Sequence, residues 1–240
     1  MIMNSKHYWD QVARNYDDRH LNKWTVHWYI DKQRVESLQS IINDNENNVL
    51  DVACGTGYYL RLFLNNNKNI IGMDLSEEMI RVCRQKGLFM TMVANYEKLP
   101  FKDHSFDIVL CINAFQYADN PCKALAEFSR VINKSGKVIV TFSNLWSLRG
   151  FIYLFRKILK VQSHPLDRHS IISFKRYVKT NGMEIQDIRG VDYLPMRTGG
   201  SGQKNKLISM HILFDRIEEK IRKSILKYFG NEIMLCLVKK

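Results

Sequence analysis

With 240 residues, 45% hydrophobic content and a net charge of +12, the chain can bury one substantial core, and a second full domain is not expected. Residues 1–10 are polar and aromatic, and no apolar run reaches the roughly 18 residues of a spanning helix, so we expect neither a secretory signal nor a membrane span. On these grounds we expect a cytoplasmic protein. The five cysteines form no Cys-x-x-Cys pair and are odd in number, which predicts reduced thiols and no metal site.

The first predicted element is an amphipathic helix near the N-terminus. Trp9, Val12 and Tyr16 are spaced at i, i+3 and i+7, which suits one helix face packed on a core. This helix belongs to an N-terminal segment, residues 1–46, that precedes the first predicted strand.

A strand, a glycine turn and a helix start follow in residues 49–60. Gly55 and Gly57 let the main chain take strained dihedrals and approach a ligand closely, and Asp51 on the strand should point a carboxylate at the same crevice. A dinucleotide fingerprint needs a third glycine where Leu60 stands, so pyrophosphate binding is disfavoured. A turn without a ligand remains the alternative.

The next predicted strand, residues 69–74, ends in Asp74, seventeen residues after Gly57. A carboxylate at the end of such a strand is placed to accept both ribose hydroxyls of a nucleoside. Ser76 and the acids after it also predict a helix N-terminus. Asp74 is therefore either a ribose ligand or a helix cap, and alone it does not separate NAD from other nucleosides.

The spacing Asp51-x-x-x-Gly55-x-Gly57 resembles the first motif of the class I S-adenosylmethionine-dependent methyltransferases, in their small-molecule branch. The resemblance implies that the glycine turn faces the amino-acid end of the cofactor. It places Asp51 near the methionine ammonium and Asp74 on the ribose. Further cofactor contacts are expected from Ala53, Leu75, Met79 and Asn113.

Residues 92–101 are similar to a third motif of this family, which borders the adenine. Leu99-Pro100-Phe101 matches it, whereas Asn95 replaces the usual Asp and Tyr96 replaces a small residue. An Asn amide offers both a donor and an acceptor to an adenine edge. We therefore expect S-adenosylmethionine as the cofactor, with Asn95 and Tyr96 making a changed adenine contact.

Strands that alternate with helices predict an α/β fold with a doubly wound, mainly parallel sheet. The resemblance implies seven strands with the last antiparallel, and residues 183–191 and 231–238 are the candidates for the last two. The expected organisation is one domain: an N-terminal lid segment 1–46, a cofactor core 47–143, and a part 144–240 that completes the sheet and covers the substrate.

Residues 8–17 resemble the Trp-x-x-x-Ala-x-x-Tyr-Asp segment of many small-molecule methyltransferases, which implies a lid with Tyr16 near the transferring methyl. The expected reaction is an in-line displacement at the sulfonium methyl, in which the protein mostly aligns the reactants. If a general base takes part, His164, His169 and His211 are the candidates by segment.

Charge is uneven along the chain, with +1 in residues 1–143 and +11 in residues 144–240. A basic C-terminal part predicts an anionic or hydrophobic small-molecule acceptor, or transient contact with a membrane surface, and a merely solvated face is the alternative. Residues 148–160 combine apolar side chains and cations without an acid, which is typical of an interfacial helix or a pocket cover.

The remaining expectations concern the structure of the C-terminal part and the alternative functions of the protein. Residues 207–229 predict a core-packing helix, and residues 197–204 predict a flexible loop. A nucleic-acid methyltransferase and a cofactor-binding module without turnover are the alternative functions. Nucleic acid is disfavoured because the sequence has no recognisable binding module and no catalytic Asn/Asp-Pro-Pro-aromatic tetrapeptide.

Overall fold

The computed structural model describes residues 5–13, 16–17, 26–159, 169–193, 221 and 224–240. Within these ranges one sheet contains β1 (Asn48–Val52), β2 (Asn69–Asp74), β3 (Thr91–Val93), β4 (Phe106–Cys111), β5 (Ile132–Ser143), β6 (Met183–Val191) and β7 (Glu232–Lys239). The strand order is β3-β2-β1-β4-β5-β7-β6, and β7 runs antiparallel to both of its neighbours. The predicted doubly wound sheet with an antiparallel last strand is confirmed.

Helices lie before, between and after the strands. They are α1 (Ser5–Val12), α2 (Val26–Ile41), α3 (Tyr58–Leu64), α4 (Glu77–Gln85), α5 (Pro121–Val131), α6 (Leu148–Ile158) and α7 (Ile171–Thr180), with short 3-10 turns at Phe115–Tyr117 and Ile225–Phe229. Side-chain caps fix several of the starts: the Ser76 hydroxyl accepts the Met79 amide of α4, and Asn120 accepts the Lys123 amide of α5. None of the helices in the described ranges is long and apolar enough to cross a bilayer.

Both faces of the central strands are buried, which explains their near-continuous apolar sequences. Leu50 of β1 packs in a cluster with Phe128 of α5 on one face, whereas Val49 packs with Leu60 of α3 on the other. The strand order reverses between β1 and β4. In doubly wound sheets a crevice opens at this reversal, at the carboxyl ends of the strands.

The C-terminal part departs from one expectation. Residues 207–220 and 222–223 lie outside the described residues, as do residues 197–204, but 225–229 form a 3-10 turn on which Ile225, Leu226 and Phe229 are exposed. The prediction of a core-packing helix is therefore wrong for these residues. Ser224 caps the start of this turn, and Gly230 leads the chain into β7.

Candidate functional site

A cleft of about 750 Å³ opens at the carboxyl ends of β1, β2, β3 and β4. It is lined by Trp9, Tyr16, Ala53, Gly55, Asp74, Leu75, Met79, Asn95, Tyr96, Glu97, Ile112, Asn113, Ala114, Tyr117 and Asp119. The sequence-predicted cofactor residues Ala53, Gly55, Asp74, Leu75, Met79, Asn95, Tyr96 and Asn113 all lie in this lining. The topology brings them together because each follows or ends a parallel strand at the same edge of the sheet.

The glycine turn between β1 and α3 forms one wall of the cleft. Gly55 has a φ of 55°, and a side chain added there would have only the Tyr16 ring near it, at 3.9 Å. Gly57 has a φ of 85° and faces away from the cleft, where a Cβ would lie 2.4 Å from Leu88. Gly55 thus leaves the main chain open toward a ligand, whereas Gly57 allows the turn to pack against the neighbouring layer.

Asp74 at the end of β2 holds this turn in place. One carboxylate oxygen accepts the Gly55 amide at 2.9 Å, and the other accepts the Ser76 amide at 2.9 Å. Burial raises the pKa of Asp74, and the bonds from the backbone amides oppose that rise. Each oxygen keeps a further lone pair, so the carboxylate can still accept from a ligand in the cleft.

Asp51 does not lie where the sequence suggested. It is buried below the cleft and is not among the residues that line it. Within the described residues, its Oδ2 atom has no hydrogen-bond partner. Burial, and then the nearby Asp74 carboxylate, raise the pKa of Asp51 to about 8. The carboxyl group is buried because β1 is covered on both faces. Asp51 therefore does not contact a ligand in the cleft directly and can affect it only through its charge.

Two non-glycine residues in the lining of the cleft have a strained backbone. Ala53 and Asn113 have φ values of 66° and 55°, in the left-handed region that non-glycine residues rarely adopt. The Asn113 amide donates to the Thr141 hydroxyl at 2.7 Å, and the Gln116 side chain donates to the Asn113 carbonyl at 3.0 Å. These bonds hold Asn113 in its strained conformation, which is typical of functional sites.

Aromatic side chains cover the cleft. The rings of Trp9 and Tyr117 meet edge to face at 5.3 Å between centroids, and Trp9 meets Tyr16 at 6.2 Å. Asp10 accepts the Ser76 hydroxyl at 2.5 Å, and Asp17 accepts the Thr56 hydroxyl at 2.5 Å. The N-terminal segment is therefore bonded to the rims of both βα turns, in the position expected of a lid.

A second cavity, of about 390 Å³, adjoins the cleft at the glycine turn. It shares Tyr16, Ala53, Gly55, Ile112 and Asn113 with the cleft and adds Asp31, Arg34, Cys54, Thr56, Tyr58 and Tyr59. Arg34 donates to Asp31 at 2.6 Å and makes a two-pronged contact with Glu232, with its Nε at 2.9 Å from one oxygen. All three charges are buried, so this is an ion network inside the fold.

Sequence reasoning missed this network. Asp31 and Arg34 are spaced at i, i+3 in α2, between the buried residues Ile30 and Leu38. Opposite charges at this spacing, between apolar residues of one helix, predict a buried ion pair, because charges are rarely buried unless they are paired. Glu232 comes from β7, and no local pattern connects it with α2.

The predicted bases gain no support from this geometry. His169 lies outside the cleft lining, and its ring packs at 5.7 Å from Phe115 and 6.2 Å from Phe142. His164 and His211 lie outside the described residues. A catalytic role for any of the three stays a prediction. In the described part of the chain, no group of three or more His, Cys, Asp or Glu residues is arranged to hold a metal ion.

Known proteins resemble this chain in sequence and in fold. A general methyltransferase domain family matches residues 50–140. Three uncharacterized proteins of Methanocaldococcus jannaschii are 32% to 35% identical over 60% to 66% of this chain, and the match covers 58% to 67% of their own lengths. A ubiquinone biosynthesis O-methyltransferase of Coxiella burnetii is 23% identical over 70% of this chain and 76% of its own.

Among solved structures, the fold is similar to that of an S-adenosylmethionine-dependent methyltransferase, a possible histamine N-methyltransferase, of Thermotoga maritima. The TM-score is 0.69 at 21% identity, with 98% of this chain and 99% of that chain covered. The motifs around Asp51, Gly55 and Asp74 lie inside the matched domain. Residues 50–140 belong to the methyltransferase domain family, and the recognition of S-adenosylmethionine-dependent methyltransferase motifs in the sequence is confirmed.

Proposed function

We propose that this protein transfers a methyl group from S-adenosylmethionine to a small or lipid-like acceptor. One observation carries the proposal: Asp74 and the open face of Gly55 meet in a single cleft whose other walls carry Asn95, Tyr96 and Asn113. A nucleoside with a cationic tail suits this cleft, because its lining combines acids, amides and apolar groups.

The residues present allow an arrangement for the cofactor. We assign the ribose hydroxyls to Asp74 and the adenine to the part of the cleft formed by Leu75, Met79, Asn95 and Tyr96. The amino-acid end then reaches past Gly55 into the second cavity, where Arg34 suits the carboxylate and Asp31 suits the ammonium. The two cavities share Tyr16, Ala53, Gly55, Ile112 and Asn113, which supports a reactive centre between them.

The chain's own residues position the reactants and exclude water. When bound, the cofactor supplies an activated methyl group, so the main requirement on the protein is an in-line approach of the acceptor. Burial raises the pKa of Tyr16 well above its ordinary value, so its phenol stays protonated and serves as a hydrogen-bond donor rather than a base. Trp9 and Tyr117 close the cleft against water.

The acceptor class and the location are proposals from separate observations. The charge of +11 in residues 144–240 supports an anionic acceptor, and the likeness to a ubiquinone biosynthesis enzyme supports a hydrophobic one.

The five cysteines are all free thiols, and four of them are buried. Free thiols persist in a reducing compartment, which supports a cytoplasmic location.

Cofactor binding tests the proposal directly. We expect calorimetry to show binding of S-adenosylmethionine and of its demethylated product, and no binding of NAD. Asp74→Ala should weaken cofactor binding by about 1.5 to 3 kcal/mol, because the ribose loses charge-assisted hydrogen bonds and the Gly55 amide loses its acceptor. The exposed Asp44→Ala is the matched control and should bind normally. A preference for NAD, or full affinity in Asp74→Ala, would refute the assignment.

Removal of residues 1–20 tests the lid. The truncated chain should remain folded, release the cofactor faster and turn over more slowly, because Trp9 and Tyr16 no longer close the cleft. Trp9→Ala should show the same effect in the full chain. Gln11→Ala, on the exposed side of the same helix, is the control. Stopped-flow release of the cofactor measures the effect, and global unfolding of the truncated protein would show instead that α1 is a core helix.

A further inference from the structure

Helix α6 presents its apolar side to solvent. Seven residues, Leu148, Phe151, Ile152, Leu154, Phe155, Ile158 and Leu159, are between 36% and 77% exposed. At helical spacing they occupy an arc of roughly 160°. We name this set the apolar arc. A helix on the surface of a globular protein normally turns such a stripe toward the core, so α6 has the reverse orientation.

The orientation of α6 is fixed by its first turn. On the side opposite to the apolar arc, Arg149 pairs with the buried Asp192 at 2.6 Å. The buried Asn144 donates to the carbonyls of Tyr228 and Gly230 at 2.8 and 2.9 Å, and Gly150 donates to the Ser147 hydroxyl at 3.0 Å. These contacts hold the polar side of α6 against the sheet, so the apolar arc faces outward.

The same edge of the molecule carries more exposed apolar surface. The 3-10 turn whose Tyr228 carbonyl accepts from Asn144 exposes Ile225, Leu226 and Phe229. This turn and α6 flank the carboxyl end of β5, beside the cleft. A row of large exposed apolar side chains along one face of a helix, such as the apolar arc, marks an interaction site.

Charge selects the occupant of this surface. Apart from Arg149, which pairs with Asp192, residues 144–166 contain Arg156, Lys157 and Lys160 and no acid, inside a C-terminal part that carries +11. A second copy of the chain would bring two cationic surfaces together, which is unfavourable. Anionic lipid headgroups above an acyl layer complement both the cations and the apolar arc.

We propose that α6 docks this protein on an anionic membrane surface, with the apolar arc in the headgroup region and Arg156 at its flank. The docking goes beyond methyl transfer and holds whatever the acceptor is. It places the carboxyl edge of the sheet, where the cleft opens, next to the lipid.

Sedimentation of the full chain with vesicles tests the docking. We expect binding to vesicles of equimolar phosphatidylcholine and phosphatidylglycerol, and little binding to phosphatidylcholine alone. The double variant Phe155→Gln with Ile158→Gln should lower the partition by on the order of a hundredfold, because two large side chains lose their apolar burial. Arg156→Glu should lower it on the order of tenfold, and added salt should reduce that difference.

Matched substitutions on other surfaces separate a specific effect from a general one. Phe89→Gln removes an equally exposed aromatic near β3, and Lys102→Glu reverses an exposed cation, and neither should change the partition. Calorimetry with S-adenosylmethionine should give the same affinity in all these variants. This control keeps a failure of docking distinct from a failure of the proposed function.

Three results would overturn the docking. They are equal binding to neutral and anionic vesicles, an equal loss in the control variants, and absence of vesicle binding. In the last case, self-association of the wild-type chain that Phe155→Gln with Ile158→Gln abolishes would assign the apolar arc to a subunit interface instead.

Discussion

Replacement of Asp51 by Asn is expected to make the cofactor-free protein more stable, by roughly 2 to 4 kcal/mol at pH 7. Asp51 is buried beneath the cleft, and its Oδ2 atom has no hydrogen-bond partner within the described residues. Its pKa of about 8 in the folded protein lies far above its ordinary value of 3.8. Near neutral pH the folded protein must therefore bind a proton that the unfolded chain does not bind.

The sign of this effect fixes its pH dependence. Because the folded pKa is raised, the stability that Asp51 contributes is fully present below about pH 4 and is lost as pH rises to about 8. Urea unfolding of both proteins should thus show a stability gain for Asp51→Asn that grows between these limits and is constant above them. Asp103→Asn is the control, and its effect on stability should change with pH in the opposite direction, since a hydrogen bond from Arg130 lowers the pKa of Asp103. A gain that does not change with pH would contradict this account.

The same substitution should weaken cofactor binding. A cationic ligand above Asp51 favours the ionised carboxylate, so binding below about pH 8 releases a proton and the affinity of the wild-type protein rises with pH up to that point. In Asp51→Asn this part of the pH dependence should disappear, as calorimetry in buffers of different ionisation enthalpy can show. A group that lowers stability and raises affinity is typical of a functional site.

Local sequence signals predicted most of the fold and the centre of the site. Strands buried on both faces are continuous apolar runs, and Gly55, Asp74 and Asn95 each follow or end such a run. Once the sheet is parallel, these residues must meet at one edge. The prediction for Asp51 was less complete, because a strand pattern gives a residue's position but does not distinguish the floor of a cleft from its wall.

Features that depend on tertiary contacts had no comparable signal. The bond from Arg34 to Glu232 joins residues 198 positions apart, and it requires the packing of α2 against β7. The orientation of α6 likewise depends on the Arg149–Asp192 pair rather than on its own sequence. Composition predicted an interfacial or pocket-covering helix, and only the fold distinguishes the side that faces outward.

Replacement of Arg34 by Met should destabilise the protein by roughly 3 to 5 kcal/mol. Arg34 bonds to Asp31 and Glu232, and the side chains of all three are at most 10% exposed. Removal of the cation takes away the buried positive charge to which both carboxylates bond, and the cost of keeping these carboxylates buried exceeds the loss of the bonds themselves. Urea unfolding at neutral pH measures the loss, and Arg81→Met, in an exposed pair with Glu78, should cost less than about 1 kcal/mol.

A triple variant separates the charge effect from a packing effect. Arg34→Met combined with Asp31→Asn and Glu232→Gln removes all three charges, and most of the lost stability should return, since neutral polar groups are far less costly to bury than unpaired ions. If the triple variant is as unstable as Arg34→Met, the loss comes from packing. Cofactor binding should not recover with stability, because the second cavity then lacks both the cation for the carboxylate and the anion for the ammonium. If the triple variant recovers both its stability and its cofactor binding, the amino-acid end of the cofactor lies elsewhere. The ion network of Arg34, Asp31 and Glu232 then has a purely structural role.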